Sequence, residues 1–144
     1  MTAKDLYDRD FFEWTRCNAA LLRAGRFGEA DILHIAEEIE DMGKRDRRKV
    51  VNRLKVLVMH LPKYQFQPDR RSPSWEETID TQRDEIALVL QDAPSLRNYA
   101  LEILTEVYRR AVRKAARETG LPFDTFPKSC PYSVDELLST DFFP

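Results

Sequence analysis

Apolar residues recur along this chain at three- and four-residue steps, the spacing that lines one face of an α-helix. From Asp10, the residues Phe11, Trp14, Asn18, Leu21 and Leu22 share a face, with Asp8 or Asp10 placed to cap the start and Gly25 and Gly28 to end the helix. Asp31 caps a second segment whose stripe is Ile32, Ile35, Ala36, Ile39 and Met42. Gly43 ends or loosens it, and the stripe resumes with Val50, Val51, Leu54, Leu57, Val58 and Leu61. Pro62 removes a backbone donor and is expected to kink or stop that helix within a turn.

Tyr64 to Pro73, which contains Pro68, reads as an extended connection. Ser74 and Glu77 have the spacing of a capping box and open a helix carrying Trp75, Ile79, Gln82, Ile86 and Leu90 on one side. Asp92 to Ser95 is a tight turn into a long helix with Leu96, Ala100, Ile103, Val107 and Ala111 inward, closed by Gly120. Three prolines and two phenylalanines between Leu121 and Tyr132 suggest an ordered strap, and Ser133 with Glu136 caps a short last helix, Val134 to Ser139. No strand and no internal repeat is found. The expected fold class is all-α: a single-domain bundle over residues 1–144, with four to five main helices, an irregular Pro-rich C-terminal strap and a short last helix.

Length and composition agree with one globular domain of 144 residues, and only four glycines argue against a β-rich fold or a multi-glycine phosphate loop. Two cysteines, Cys17 and Cys130, make no Cys-x-x-Cys pair and read as free thiols of a reducing compartment. No apolar run approaches a membrane span and Met1 to Arg9 has no leader-like apolar region, so a cytoplasmic location is expected.

The formal net charge of −2 hides a segregation. Residues 1–43 carry 10 acidic and 5 basic side chains, residues 44–71 carry 2 and 10, and residues 72–144 carry 13 and 8. The basic block holds Lys44, Arg45, Arg47, Arg48, Lys49, Arg53 and Lys55, and a second group is Arg109, Arg110, Arg113, Lys114 and Arg117. A phosphate-binding surface for nucleic acid is one reading of the 44–55 and 109–117 segments. A solvated face set against Glu37, Glu38, Glu40 and Asp41 is the other, favoured by an acidic pI near 5.8 and by the absence of interleaved aromatics.

Polar residues at apolar positions are the sharper signal. Asn18 falls in the first stripe, Glu38 beside the second, His60 beside the third and Gln82 in the fourth, while Tyr99 and Tyr108 border the fifth. Buried polar groups need partners, so each is either part of a structural network or part of a site. Lys63, Arg70, Arg71 and Arg83 are the available counter-charges. His34 shares a helical face with Glu37 or Glu38, yet two histidines and no Glu-x-x-His pair on each of two helices leave no metal-ligand set, and the sequence names no cofactor. No HExxH, GxSxG or Walker loop occurs. Trp14 and Trp75 begin apolar stripes and read as core, and mid-helix Cys17 carries no mark of an activated thiolate.

A longer series of motifs runs through the chain: Phe11-Phe12-x-Trp14, Ala36-Glu37-Glu38-Ile39-Glu40-Asp41-Met42-Gly43, His60-Leu61-x-Lys63-Tyr64-Gln65-x-Gln67-Pro68, Arg71-Ser72-x-Ser74-Trp75 and Thr78-Ile79-x-x-Gln82-Arg83. It continues through Pro94-Ser95-Leu96, Glu118-Thr119-Gly120-Leu121-Pro122, Phe126-Pro127-x-x-Cys130-Pro131-Tyr132 and Asp141-Phe142-x-Pro144. From about Tyr7 to Pro144 the chain resembles the domain of unknown function 29 family, common in cyanobacteria and other bacteria. The resemblance implies an all-α, single-domain bacterial protein and attaches no activity to it. Its motifs are densest between His60 and Trp75, a connecting segment of the kind on which function collects. Arg71 and Gln67 there have a structural reading too, as caps for the kinked third helix.

The sequence therefore reads as a small cytoplasmic helical interaction or regulatory protein, with a protein partner or a second copy of itself. An enzyme or anionic-ligand domain is the alternative, built from Glu38, His60, Lys63, Gln67, Arg71, Trp75 and Gln82. There His60 is a base or a lone imidazole ligand, Glu38 orients it, and Lys63 and Arg71 hold an anion.

Overall fold

The computed structural model describes residues 1–144 and contains six α-helices and no strand. They are α1 (Ala3–Arg9), α2 (Phe11–Arg23), α3 (Ile32–Phe66), α4 (Pro73–Asp92), α5 (Leu96–Thr119) and α6 (Val134–Leu138). The chain is all-α, with five helices of seven residues or more. It forms two compact units, Met1–Arg45 and Asp46–Pro144. No helix is long and apolar enough to cross a membrane.

The Met1–Arg45 unit contains α1, α2 and the first part of α3. Thr2 and Asp5 make a reciprocal capping box that starts α1, an element the apolar spacing alone did not reveal. Asp10 then does two jobs. Its backbone N–H closes α1 on the Leu6 carbonyl at 2.8 Å, and its carboxylate accepts from the Glu13 N–H at 3.0 Å to open α2. After Ala24 the chain turns through Gly25 at φ +72°, a conformation a side chain would strain. This unit contributes only Ala3, Trp14 and Ala30 to the twenty buried apolar residues of the chain.

The Asp46–Pro144 unit holds the core. Val50, Leu54, Leu57, Val58 and Leu61 of α3 meet Ile79 and Ile86 of α4 and Leu104, Val107, Ala111 and Ala115 of α5, with Phe126, Tyr132 and Leu137 of the C-terminal segment in the same cluster. The expected stripe Val50–Leu61 is thus the core face of α3. Burial of such side chains is worth about 1.5–3 kcal/mol each, the dominant favourable contribution to this unit.

Two local expectations are corrected, and one open alternative, at Gly43, is decided. The second and third stripes belong to one 35-residue helix, α3, which passes through Gly43 without ending. Pro62 lies inside it, and the helix runs one further turn to Phe66, so Tyr64–Phe66 is helical rather than extended. A 3-10 turn over Pro68–Arg70 follows. Helix α4 starts at Pro73, with Ser72 as its N-cap accepting from the Trp75 N–H at 3.3 Å, so the cap is not Ser74. Proline suits the first helical position because its missing N–H would have no partner there, and that places the cap one residue before it. Gly120 at φ +71° ends α5, and Ser133 with Glu136 forms the capping box of α6, both as expected.

Candidate functional site

Each unit brings together one group of polar side chains. In Met1–Arg45 the centre is Asp31, a buried carboxylate at the entry to α3. Its Oδ2 accepts from Trp14 Nε1–H at 3.1 Å and from His34 Nδ1–H at 2.6 Å. Its backbone N–H donates to Asn18 Oδ1 at 2.8 Å, and Asn18 Nδ2 donates to the Trp14 carbonyl at 2.9 Å. Asn18, the polar residue in the first stripe, is therefore a fully partnered structural link between α2 and α3.

Tyr7 from α1 covers this network. Its ring stacks on His34 at 3.8 Å between centroids with the planes 6° apart, and meets Trp14 edge-on at 5.1 Å. Its hydroxyl donates to Glu38 Oε1 at 2.6 Å, which pushes the Tyr7 pKa up to about 12. Neither Tyr7 nor Asp31 was a candidate from spacing alone, although Asp31 and His34 stand three apart on one turn. The capping box at Thr2 was the sequence signal that a helix placed Tyr7 there.

Hydrogen bonding to Asp31 raises the His34 pKa above its ordinary 6.5, against a smaller opposing effect of burial. Burial pushes Asp31 up, but its bonds from His34 and Trp14 outweigh this, and the carboxyl titrates below its ordinary 3.8. The stabilisation from His34 is complete below 6.5 and disappears as pH rises through the elevated folded value. That from Asp31 is complete above 3.8 and disappears as pH falls through the depressed one. Between 3.8 and 6.5 both contribute in full. In a Trp75→Phe background, where Trp14 is the reporter, the unfolding midpoint should fall from pH 6 to pH 9, and His34→Gln should flatten that slope. An unchanged slope in His34→Gln would assign the dependence to another group.

In Asp46–Pro144 the second group surrounds the end of α3. His60 is half-buried, donates from Nδ1 to the Val56 carbonyl at 2.9 Å, and has its pKa lowered by burial and then by Lys63. Lys63 Nζ pairs with Glu118 at 3.1 Å and lies 5.0 Å from the centre of the Trp75 ring. Arg71 donates from Nε to the Tyr64 carbonyl at 2.7 Å and from Nη2 to the Pro144 carbonyl at 3.3 Å, and its guanidinium lies 4.4 Å over the Tyr64 ring. Arg71 thus satisfies a last-turn carbonyl of α3, one of the four that any helix leaves without a partner. Gln67 continues that end through its backbone N–H to Lys63 O at 3.0 Å. Gln82 is buried, but its Oε1 has no partner, so the expected network is not complete at that residue.

Glu38 belongs to the Met1–Arg45 unit and His60 to Asp46–Pro144. Both are residues of α3, 22 positions apart in the chain. The cations proposed to hold an anion, Lys63 and Arg71, are already engaged by Glu118 and by carbonyl oxygens. Nor do three or more His, Cys, Asp or Glu side chains converge as metal ligands.

The basic segments are mixed with partners. Arg47 lies 4.2 Å over the Tyr99 ring, Lys49 faces Asp46 at 4.0 Å, and Arg109 and Arg110 both pair with Glu106. Lys44, Arg45, Arg48, Arg113, Lys114 and Arg117 are exposed.

The largest departure from the sequence reading concerns the second stripe. Ile32, Ile39 and Met42 are exposed at 47%, 58% and 53%, and with Leu33, Phe11, Phe12, Phe27 and Met1 they make eight of the eleven large exposed apolar side chains. Phe11, Leu22, Ile35, Ile39 and Met42 line an open groove of about 350 Å³ between α2 and α3, with Glu38 and Arg45 on the α3 side.

The sequence model of the family described as Domain of unknown function DUF29 matches residues 6–143. The chain belongs to this family. No curated protein and no solved structure matches it. The DUF29 match spans both units, so the Asp31 network, the groove and the end of α3 all fall within the family region.

Proposed function

We propose that this DUF29 protein is a helical interaction module that receives an apolar helical surface in the α2–α3 groove. The observation that carries the reading is the concentration of exposed apolar side chains on a unit with almost no core of its own. Exposed apolar area of this kind on a folded surface marks a contact site, and an amphipathic helix laid in a groove is a common way of filling one. A cytoplasmic, bacterial setting belongs to the same reading: both cysteines are free thiols, as a reducing compartment keeps them.

The test is a photo-cross-linker. Ile39→p-benzoylphenylalanine, expressed in the native cell, should give a discrete adduct larger than the 16.9 kDa chain. The same replacement at Leu88, an exposed apolar position in the other unit, should not. No adduct from position 39, or equal adducts from both positions, would remove the groove from the function.

A further inference from the structure

Resting on that reading, we infer that the groove takes an amphipathic helix of another protein, one with an acidic and a basic residue seven positions apart beside its apolar stripe. The acid meets Arg45, the base meets Glu38, and the helix runs antiparallel to α3.

What the groove offers a ligand follows from its lining. The polar groups there are Thr15, Asn18, Glu38, Arg45 and the indole N–H of Trp14. Most of them are already engaged within the unit. The Thr15 hydroxyl donates to Phe12 O at 2.6 Å, and Trp14 Nε1–H donates to Asp31. Asn18 accepts from the Asp31 N–H and donates to Trp14 O. Glu38 Oε1 accepts from Tyr7, which leaves Oε2 as its second acceptor. A partner therefore meets an apolar trough with two polar points, the outer oxygen of Glu38 and the exposed guanidinium of Arg45. Covering either one without a counter-group loses affinity.

The spacing of those two points selects a helix. Glu38 and Arg45 are seven residues apart on α3, two turns and about 10.5 Å along its axis. That exceeds the charge separation within a single amino acid. It is the repeat of a helix laid alongside, because residues seven apart return to nearly the same face. Ile35, Ile39 and Met42, at steps of four and three, supply the matching apolar seam. In the antiparallel direction the partner's acid lies nearer its N-terminus and its base nearer its C-terminus, the order the helix dipole favours.

The same charges argue against a second copy of this chain. A parallel two-fold pair sets Glu38 level with Glu38. An antiparallel pair that matches Glu38 to Arg45 slides Ile32 and Ile35 past the other copy's last apolar position, Met42. The antiparallel pair that overlays the apolar stretches brings Glu38 beside Glu38 again. No two-fold register satisfies both seam and charges, whereas an independent sequence can.

Fluorescence anisotropy of the full chain with two synthetic peptides tests this. Both are hydrocarbon-stapled amphipathic helices of about four turns with one leucine stripe. The first carries glutamate in its opening turn and lysine seven residues later, and the second exchanges the two. The first should bind about tenfold more tightly. Arg45→Glu should erase that preference, and Glu38→Lys/Arg45→Glu should reverse it, with Tyr7→Phe controlling for the hydroxyl bond that the change at Glu38 removes. Ile39→Asp should abolish binding of both peptides with unchanged helical circular dichroism.

Equal affinities, or a preference for the second peptide, overturn the inference and leave the groove as a contact site. A wild type that sediments as a dimer and returns to a monomer with Ile39→Asp also overturns it, since the occupant is then a second copy. So does failure of both peptides to bind at about 100 µM, far above the Kd of specific complexes. In that last case a discrete adduct from position 39 keeps the interaction module, and its absence removes both.

Discussion

Arg83→Met should destabilise the Asp46–Pro144 unit by about 3 kcal/mol and release the C-terminal segment. Arg83 is 2% exposed, and Nε and Nη2 of its guanidinium bind main-chain carbonyls rather than an acid, while the buried Nη1 has no partner. Nε donates to Leu137 O at 2.7 Å, while Nη2 donates to Phe142 O at 2.7 Å and to Glu136 O at 3.3 Å. Glu136 and Leu137 lie in the last turn of α6, where carbonyls have no partner within the helix. Arg83 is therefore the C-terminal cap of α6, supplied from α4.

Burial lowers its pKa below the ordinary arginine value, with Asp80 opposing, yet a guanidinium stays protonated and all its donors remain available. Methionine fills much of the volume and leaves the Leu137 and Phe142 carbonyls unpaired, while the Glu136 carbonyl keeps the Ser139 N–H at 3.3 Å, so the loss is one of hydrogen bonding. For a unit of this size about 3 kcal/mol is a fall in Tm on the order of 15 °C. Arg83→Lys should not rescue it, because a single ammonium cannot span the fork. Limited proteolysis should cut residues 133–144 in Arg83→Met and spare them in the wild type. A fall in stability below about 1 kcal/mol would mean that α6 is held by its Leu137 contact and capping box alone.

Asp31→Ala should have the second-largest effect, about 2–3 kcal/mol, confined to Met1–Arg45. The substitution leaves Trp14 Nε1–H without an acceptor inside the unit and frees His34 from its partner. Asn18 still accepts the backbone N–H of residue 31, so the α2–α3 junction keeps one of its links. Trp14 emission should shift and the Tyr7–His34 stack should loosen, while the Asp46–Pro144 core melts as before. Asp31→Asn should lie between wild type and alanine, since its amide oxygen accepts one donor but carries no charge to hold His34. Equal loss in both units would show that they unfold as one, and no loss would place Asp31 outside the stability of α1.

The two sites differ in how legible they were. Asp31 was read as a helix cap, which its position supports, but its binding to Trp14 joins residues 17 apart in sequence. The Glu38–Tyr7 bond spans 31 residues, and Arg83 reaches carbonyls 53 to 59 residues away. No local pattern encodes such pairings. Period reasoning put Gln82 on the inner face of α4 and left its neighbour Arg83 as a spare counter-charge. The structure buries both, because the C-terminal segment crosses over α4 and needs a donor for its carbonyls.

What the sequence alone determined is every helix but α1, and most of their ends. Asp10, Gly120, Ser133 with Glu136, and the Val50–Leu61 stripe act within a turn or two of themselves, so spacing and cap chemistry suffice to place them. Even there, Pro73 moved one cap from Ser74 to Ser72. The tertiary structure alone decided what covers each apolar face. Val50–Leu61 and Ile32–Met42 look alike as periodic stripes, yet the first is sealed by α4 and α5 while the second lies open. Periodicity reports that a face is apolar, and burial is a property of whatever packs against it.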